Sequence, residues 1–211
     1  MKILLVGCLG NMGRRYAAIL DYLGVEWVGF DSRDGLKKPG AEGFDAVIYA
    51  TPTVAHMSNI LDHLKFSPEV PMLVEKPIDK SMPMITLLKQ KWEANNFKIM
   101  MVNQYRHLVS SNRKEPTQYD YFKSGGDGLA WDCINLIGLA QGTISLKNES
   151  PLWHCRINGN KIWNEMIDAS YIENIKYFLN AVADESFNWK NEMDYIYEAH
   201  QKVHDFIEGK L

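Results

Sequence analysis

Three glycines stand at Gly7, Gly10 and Gly13 in the run "VGCLGNMGRRY", directly behind the apolar stretch Lys2 to Val6. A glycine turn between a strand and a helix lets backbone amides approach a pyrophosphate, and the helix amino terminus adds donors and a favourable dipole. The spacing here is G-x-x-G-x-x-G: Gly10, Asn11, Met12 and Gly13 keep the end of the dinucleotide fingerprint, while Cys8 stands at its first glycine and Gly7 takes over that turn. Asp31 follows 18 positions after Gly13, close to the offset of about 20 at which a carboxylate reaches ribose hydroxyls. It favours NAD by repelling a 2'-phosphate, whereas the nearby Arg33 is able to accommodate one. Arg14 and Arg15 are further phosphate candidates, with exposed helix arginines as the plainer reading.

These residues need strands and helices to hold them. Lys2 to Val6 reads as a buried strand, Met12 to Leu23 as a helix turning Ala17, Leu20 and Leu23 to a sheet, and Glu26 to Asp31 as a second strand. Residues 32 to 44 carry Gly35, Pro39, Gly40 and Gly43, so any third element there is abbreviated. A strand at Ala46 to Ala50, a turn at Thr51-Pro52, and a helix with Ile60, Leu61 and Leu64 on its apolar face come next. "MLVEKP", a helix over Met82 to Asn95, and "KIMMVNQY" complete the alternation. Strands alternating with helices require a parallel sheet covered on both faces. The fold class is therefore α/β, a Rossmann-type doubly wound sheet over residues 1–107, with a small, reduced α+β second domain over 108–211. Residues 108 to 120 read as a linker, "TISLKN" and "HCRINGNKIW" as strands around an Asn158-Gly159 hairpin turn, and Ile172 to Ala183 and Asn191 to Glu208 as helices.

The four segments "LGNMGRR", "YATPTVAHMSNILDHL", "LVEKPI" and "MVNQYRH" together resemble the Gfo/Idh/MocA family of NAD(P)-dependent oxidoreductases over roughly the first 107 residues. The resemblance implies a nucleotide over Gly10 and Gly13, Asp31 on the adenosine ribose, and Thr51, Pro52 and His56 along the crevice. It also implies that Lys76 lies near the nicotinamide and the substrate hydroxyl, with Glu75 and Asn103 beside it. A lysine ammonium suits that place, because it stabilises a developing alkoxide or exchanges a proton. In the second half, "GGDGLAWDCINLIGLA" is similar to the family's glycine pair and acid, so Asp132 is a second catalytic candidate. Four positions further on stands Leu136, where the family carries a general acid/base histidine. The chain thus looks like a member shortened inside its carboxy-terminal domain.

The implied activity is hydride transfer between nicotinamide and a hydroxyl or carbonyl carbon of a small, sugar-like substrate, with NAD modestly preferred to NADP. The alternative is a non-catalytic dinucleotide-binding protein that has lost turnover, which Leu136 motivates. A likeness to dihydrodipicolinate reductases through the G-x-x-G-x-M-G turn ranks below both, since their paired histidines and Ser-Gly-Thr segment are absent from the sequence. His107 is a substitute proton carrier, with an exposed strand-end histidine as its plainer reading. His200 and His204, spaced i, i+4, read as a solvated helix face, and no metal site is expected.

A net charge of −3 gives no basic excess for nucleic acid. No apolar run approaches the roughly 20 residues of a membrane span, and the first residues run into a strand instead of a secretory leader. Cys8, Cys133 and Cys155 are an odd, widely spaced set that suits reduced thiols. A cytoplasmic location and a monomer or small homo-oligomer, paired through the short second-domain sheet, are expected.

Overall fold

A computed structural model describes residues 1–35, 39–106, 118–122, 134, 143–147, 154–157, 160–162 and 164–210. The apolar runs of the first hundred residues become five strands: β1 (Lys2–Val6), β2 (Glu26–Phe30), β3 (Ala46–Tyr49), β4 (Met72–Val74) and β5 (Ile99–Met101). β3, β4 and β5 are buried at every position. Such continuous apolar strands belong to parallel sheets covered on both faces. All neighbours are parallel, in the order β2-β1-β3-β4-β5.

After β2 the chain returns across β1 and builds the sheet in the other direction. The β1/β3 pair is consequently the topological switch point, where ligands of open α/β sheets bind beyond the carboxyl ends of the strands. The register makes those ends level. Val6 lies opposite both Phe30 and Tyr49, Tyr49 opposite Val74, and Val74 opposite Met101. Residues 7–10, 31–33, 50–52 and 75–77 therefore leave the sheet in one row.

Three helices cross between the strands: α1 (Asn11–Tyr22), α2 (Thr53–Phe66) and α3 (Met82–Asn95). Right-handed crossovers put α1 on one face of the sheet and α2 and α3 on the other. The inward face of α1 is Gly13, Tyr16, Ile19 and Leu20; Ala17 and Leu23, expected inside, are only half-buried. α2 buries His56, Met57, Ile60 and His63, not Leu61 and Leu64. Imidazoles displace leucines there because each finds hydrogen-bond partners: His63 Nε2 lies 2.8 Å from the Val70 carbonyl oxygen, and Nδ1 3.1 Å from the Tyr49 hydroxyl. Between Phe30 and Ala46 the described residues hold one turn of 3₁₀ helix, Ser32–Asp34, and no strand.

The later strands are β6 (Gln118–Phe122), β7 (Thr143–Lys147), β8 (His154–Ile157) and β9 (Asn160–Ile162), in the order β7-β6-β8-β9. β6 pairs parallel with β7 and antiparallel with β8, and β8 antiparallel with β9. Ile157 stands opposite Asn160, so two residues join β8 to β9, as the Asn-Gly pair leads one to expect. Gln118, Tyr119 and Asp120 belong to β6, which corrects the linker assigned up to residue 120. The chain closes with α4 (Asn164–Ala183) and α5 (Trp189–Ile207); α4 begins eight residues before the helix the sequence pattern marks. Two compact units result, Met1–Val102 with Phe178–Ile196, and Asn103–Tyr177 with Tyr197–Leu211. The α/β class with a small α+β companion region is as the sequence implies.

Candidate nucleotide-binding site

Gly7 leaves β1 with φ +86, and its N–H donates to the Phe30 carbonyl at 2.7 Å. A Cβ there would lie 2.7 Å from the Ala50 carbonyl oxygen and inside a positive-φ conformation, so glycine is required twice over. Gly10 turns back, its N–H donating to Gly7 O at 3.1 Å, and caps α1 in an extended conformation. Gly13 faces the turn so closely that a Cβ would stand 2.0 Å from Gly7 O and 2.7 Å from Cys8 Cα. Cys8 is tolerated because β2 carries Gly29 beside it, where a Cβ would come within 2.9 Å of the Cys8 sulfur. Burial, then the charges of Asp31 and Asp34, push the Cys8 thiol above its ordinary pKa, which disfavours its thiolate.

The first i→i−4 bond of α1 runs from the Arg14 N–H to Gly10 O at 2.9 Å. The amides before it have no partner inside a helix, no side chain caps this end, and no acid lies in its first turn. Such an end attracts an anion. Asn11, Arg14 and Arg15 are exposed and Met12 half-buried around it.

Asp31 leaves β2 buried, with one carboxylate oxygen accepting from the Leu9 N–H at 3.2 Å. Its carboxylate also takes the forked guanidinium of Arg33, at 2.7 Å from Nε and 2.8 Å from Nη2, and the Arg33 N–H at 3.1 Å. The Arg33 hydrogen bonds, with help from the Arg33 and Leu9 amides, hold the Asp31 carboxyl far below the usual carboxylate range despite its burial. Asp31 is thus a fixed negative charge tied to the glycine turn. Arg33, 60% exposed at its side chain, is the movable partner.

On the other side of the switch point, Thr51 and the exposed Pro52 lead into α2. His56, which the family resemblance sets along the crevice, is buried. Its Nε2 lies 2.7 Å from the Thr51 carbonyl oxygen and its Nδ1 2.9 Å from that of Pro77. A neutral ring donates to one of them; the imidazolium donates to both. His56 therefore ties the row's third loop to its fourth. The Thr51 hydroxyl accepts from Asn59 Nδ2 at 3.3 Å.

The fourth loop begins at Glu75, whose N–H donates to Tyr49 O at 3.0 Å. Its buried carboxylate accepts from the Tyr16 hydroxyl through Oε1 and from the Lys76 N–H, at 2.9 Å, through Oε2. Lys76 is half-buried, and its bond to Pro77 is cis. Asn103 begins the second unit. It is fully buried, Oδ1 accepts from the Arg106 N–H at 3.2 Å, and Nδ2 has no hydrogen-bond partner.

No family model matches this sequence, and no curated protein matches it. Solved structures do. A Gfo/Idh/MocA family oxidoreductase from Vibrio cholerae aligns at a TM-score of 0.76 and 12% identity, over 99% of this chain and 97% of that one. The chain has the Gfo/Idh/MocA oxidoreductase fold. A myo-inositol dehydrogenase from Corynebacterium glutamicum shares it at a TM-score of 0.67 and 13% identity, over 99% and 96% of the two chains. So does the WlbA dehydrogenase from Thermus thermophilus, solved in complex with NAD and UDP-GlcNAcA, at 0.62 and 14% over 98% and 94%.

Asp132, Leu136 and His107 lie outside the described residues. His200 is buried within α5 while His204, half-exposed, is 3.8 Å from Glu208, which corrects the reading of both as one solvated face. Among the described residues no three His, Cys, Asp or Glu side chains gather as metal ligands, and no helix is long and apolar enough to cross a membrane. Sequence reasoning missed Tyr16, whose hydroxyl donates to Glu75. Its helical spacing from Gly13 marks an inward position, but a buried aromatic reads as core.

Proposed function

We propose that the chain is an NAD(P)-dependent oxidoreductase acting on a CH–OH or carbonyl carbon of a small, sugar-like molecule, with NAD modestly preferred. The observation that carries this is the uncapped start of α1, packed through Gly13 onto the turn whose Gly7 and Gly10 lie against Ala50 at the switch point, with buried Asp31 tied to that turn. The group fits: with glycine at position 10 no side chain covers the amides at the start of α1, the donors a pyrophosphate takes. When bound, the dinucleotide supplies the hydride donor or acceptor.

The chain's own residues then divide the work. The amides of Asn11, Met12 and Gly13 bind the pyrophosphate, and Asp31 accepts from the ribose hydroxyls in competition with Arg33. Thr51, Pro52 and His56 form the opposite wall. His56 acts from between the Thr51 and Pro77 carbonyls, within hydrogen-bond reach of each. Lys76 places an ammonium where negative charge develops on the substrate oxygen, and Glu75 fixes the Lys76 peptide. Asn103 and Asp132 are site candidates on the family resemblance alone, with a nucleotide domain over residues 1–107 and a second domain over 108–211.

Calorimetric titration with NAD(H) and NADP(H), followed by absorbance at 340 nm with a panel of polyols and sugar nucleotides, tests the reading. We expect dinucleotide binding below millimolar concentration and a loss of turnover in Lys76→Met with nucleotide affinity changed less than about tenfold, since a lost general acid or base costs about 10²- to 10⁴-fold in rate. Absence of binding by either nucleotide would refute it. Binding without turnover on any substrate would favour a non-catalytic dinucleotide-binding protein, the reading to which Leu136 points.

A further inference from the structure

Gly13 packs α1 onto the glycine turn, and one helical turn later Tyr16 points inward, fully buried. Its hydroxyl donates to Oε1 of Glu75, which leaves β4 two strands away from β1 in the sheet order. Adjacent strands are about 4.8 Å apart, so this one side chain spans the carboxyl end of β3. Glu75 uses its other oxygen for the Lys76 N–H, and its own N–H is taken by Tyr49 O. Pro77, the next residue, is held through its carbonyl by His56. Of these bonds, the one arriving from the helix of the glycine turn is that of the Tyr16 hydroxyl.

We propose that Tyr16 is a positioning residue for Lys76: by donating to Glu75 Oε1 it locks the carboxylate whose second oxygen holds the Lys76 peptide, coupling the glycine turn to the reach of the lysine. The functional weight of this tie rests on the oxidoreductase reading above. The tie itself rests on the hydrogen bonds. Both Glu75 oxygens accept from the protein, one from the Tyr16 hydroxyl and one from the Lys76 N–H, so its carboxylate is placed to transmit the position of α1.

Lys76 reactivity reads the tie without a substrate. Wild type, Tyr16→Phe, Glu75→Gln and the double variant are labelled briefly with N-hydroxysuccinimidyl acetate. Mass spectrometry gives the acetylation rate of Lys76 relative to exposed Lys65, and thermal unfolding and NAD titration are run alongside. Phenylalanine keeps the ring and drops only the hydroxyl; glutamine offers one acceptor oxygen to two donors. Each single variant should raise the Lys76 ratio at least threefold, and the double variant no further than the larger single. If tyrosine were merely core filling, phenylalanine would replace it silently. A wild-type ratio in both singles, or effects that multiply in the double, overturns the proposal. Should Tyr16→Phe fail to fold, Glu75→Gln decides alone: an unchanged ratio overturns the tie and a threefold rise supports it. A wild-type chain that binds neither dinucleotide would overturn the oxidoreductase reading and not the tie, which the labelling ratio decides by itself.

Discussion

Replacing Gly10 by alanine separates a nucleotide turn from a merely structural corner. Gly10 has φ −72 and ψ 168, a conformation open to any L-residue. The added Cβ would meet Gly7 O at 3.3 Å and Ala50 O at 3.8 Å, so the chain needs to give by only a few tenths of an ångström. Alanine is a poorer helix cap than glycine by about 0.5–1 kcal/mol, and it recovers about 0.4–1 kcal/mol by restricting the unfolded chain. The net effect on folding is within about 1 kcal/mol, or about 2–4 °C in Tm for a chain of this size. The crevice fares differently. A methyl group between those two carbonyls holds a phosphate oxygen away from the amides of α1, and one lost charge-assisted hydrogen bond is worth about 1.5–3 kcal/mol. At about 1.4 kcal/mol per tenfold, the Kd for NAD should rise at least ~10-fold while the protein unfolds within ~4 °C of wild type. Titration calorimetry and differential scanning fluorimetry on the same samples decide it. Wild-type affinity in Gly10→Ala would refute a nucleotide on this turn, and a fall of more than about 10 °C would show that the packing argument is wrong.

Gly13→Ala should do the reverse, because its Cβ would overlap Gly7 O and Cys8 Cα, which are backbone atoms that no rotamer change relieves. Overpacking costs about 1–3 kcal/mol, so urea unfolding should show a clear loss of stability before any nucleotide is added; an unchanged midpoint would contradict the geometry. The depressed Asp31 carboxyl stabilises the fold fully above the ordinary aspartate pKa of about 3.9, and that contribution is lost as pH falls through its lower folded value. Asp31→Asn should therefore lose about 1 kcal/mol at pH 7, a figure discounted for the exposure of Arg33, with the gap to wild type closing toward pH ~2; a gap that ignores pH would refute it. Asp31→Ala should also shift relative affinity from NAD toward NADP, and an unchanged ratio would mean that Asp31 does not read the ribose.

The sheet was legible because its strands are short apolar runs bounded by glycine, proline or acid, and burial on both faces writes that pattern directly. The turn was legible because Gly7 and Gly13 stand where a Cβ would overlap backbone atoms, with Gly10 midway between them in the spacing. Other features have no such mark. Tyr16 and Glu75 are far apart in sequence, and a tyrosine facing inward looks the same whether its hydroxyl is used or not. The burial of His56 and His63 has no such mark for a related reason: it depends on carbonyls at Thr51, Pro77 and Val70 that any residue could supply. β6 begins inside a polar stretch, at Gln118, because strand pairing with β7 and β8 needs backbone groups and not apolar side chains.

The abbreviated connection between β2 and β3 has a consequence for engineering. The glycine turn, Asp31, Thr51 and Lys76 follow the ends of β1, β2, β3 and β4, whereas the chain after Asp34 only has to travel from one edge of the sheet back to its centre. Lengthening such a span costs little, about 0.6 kcal/mol for each doubling. The stretch around Gly35 is thus a natural port for grafting a reporter or a tag: it lies one turn beyond the Arg33–Asp31 pair, near enough for an inserted fluorophore to sense whether that pair has opened, and outside the hydrogen bonds that hold the row of loops together.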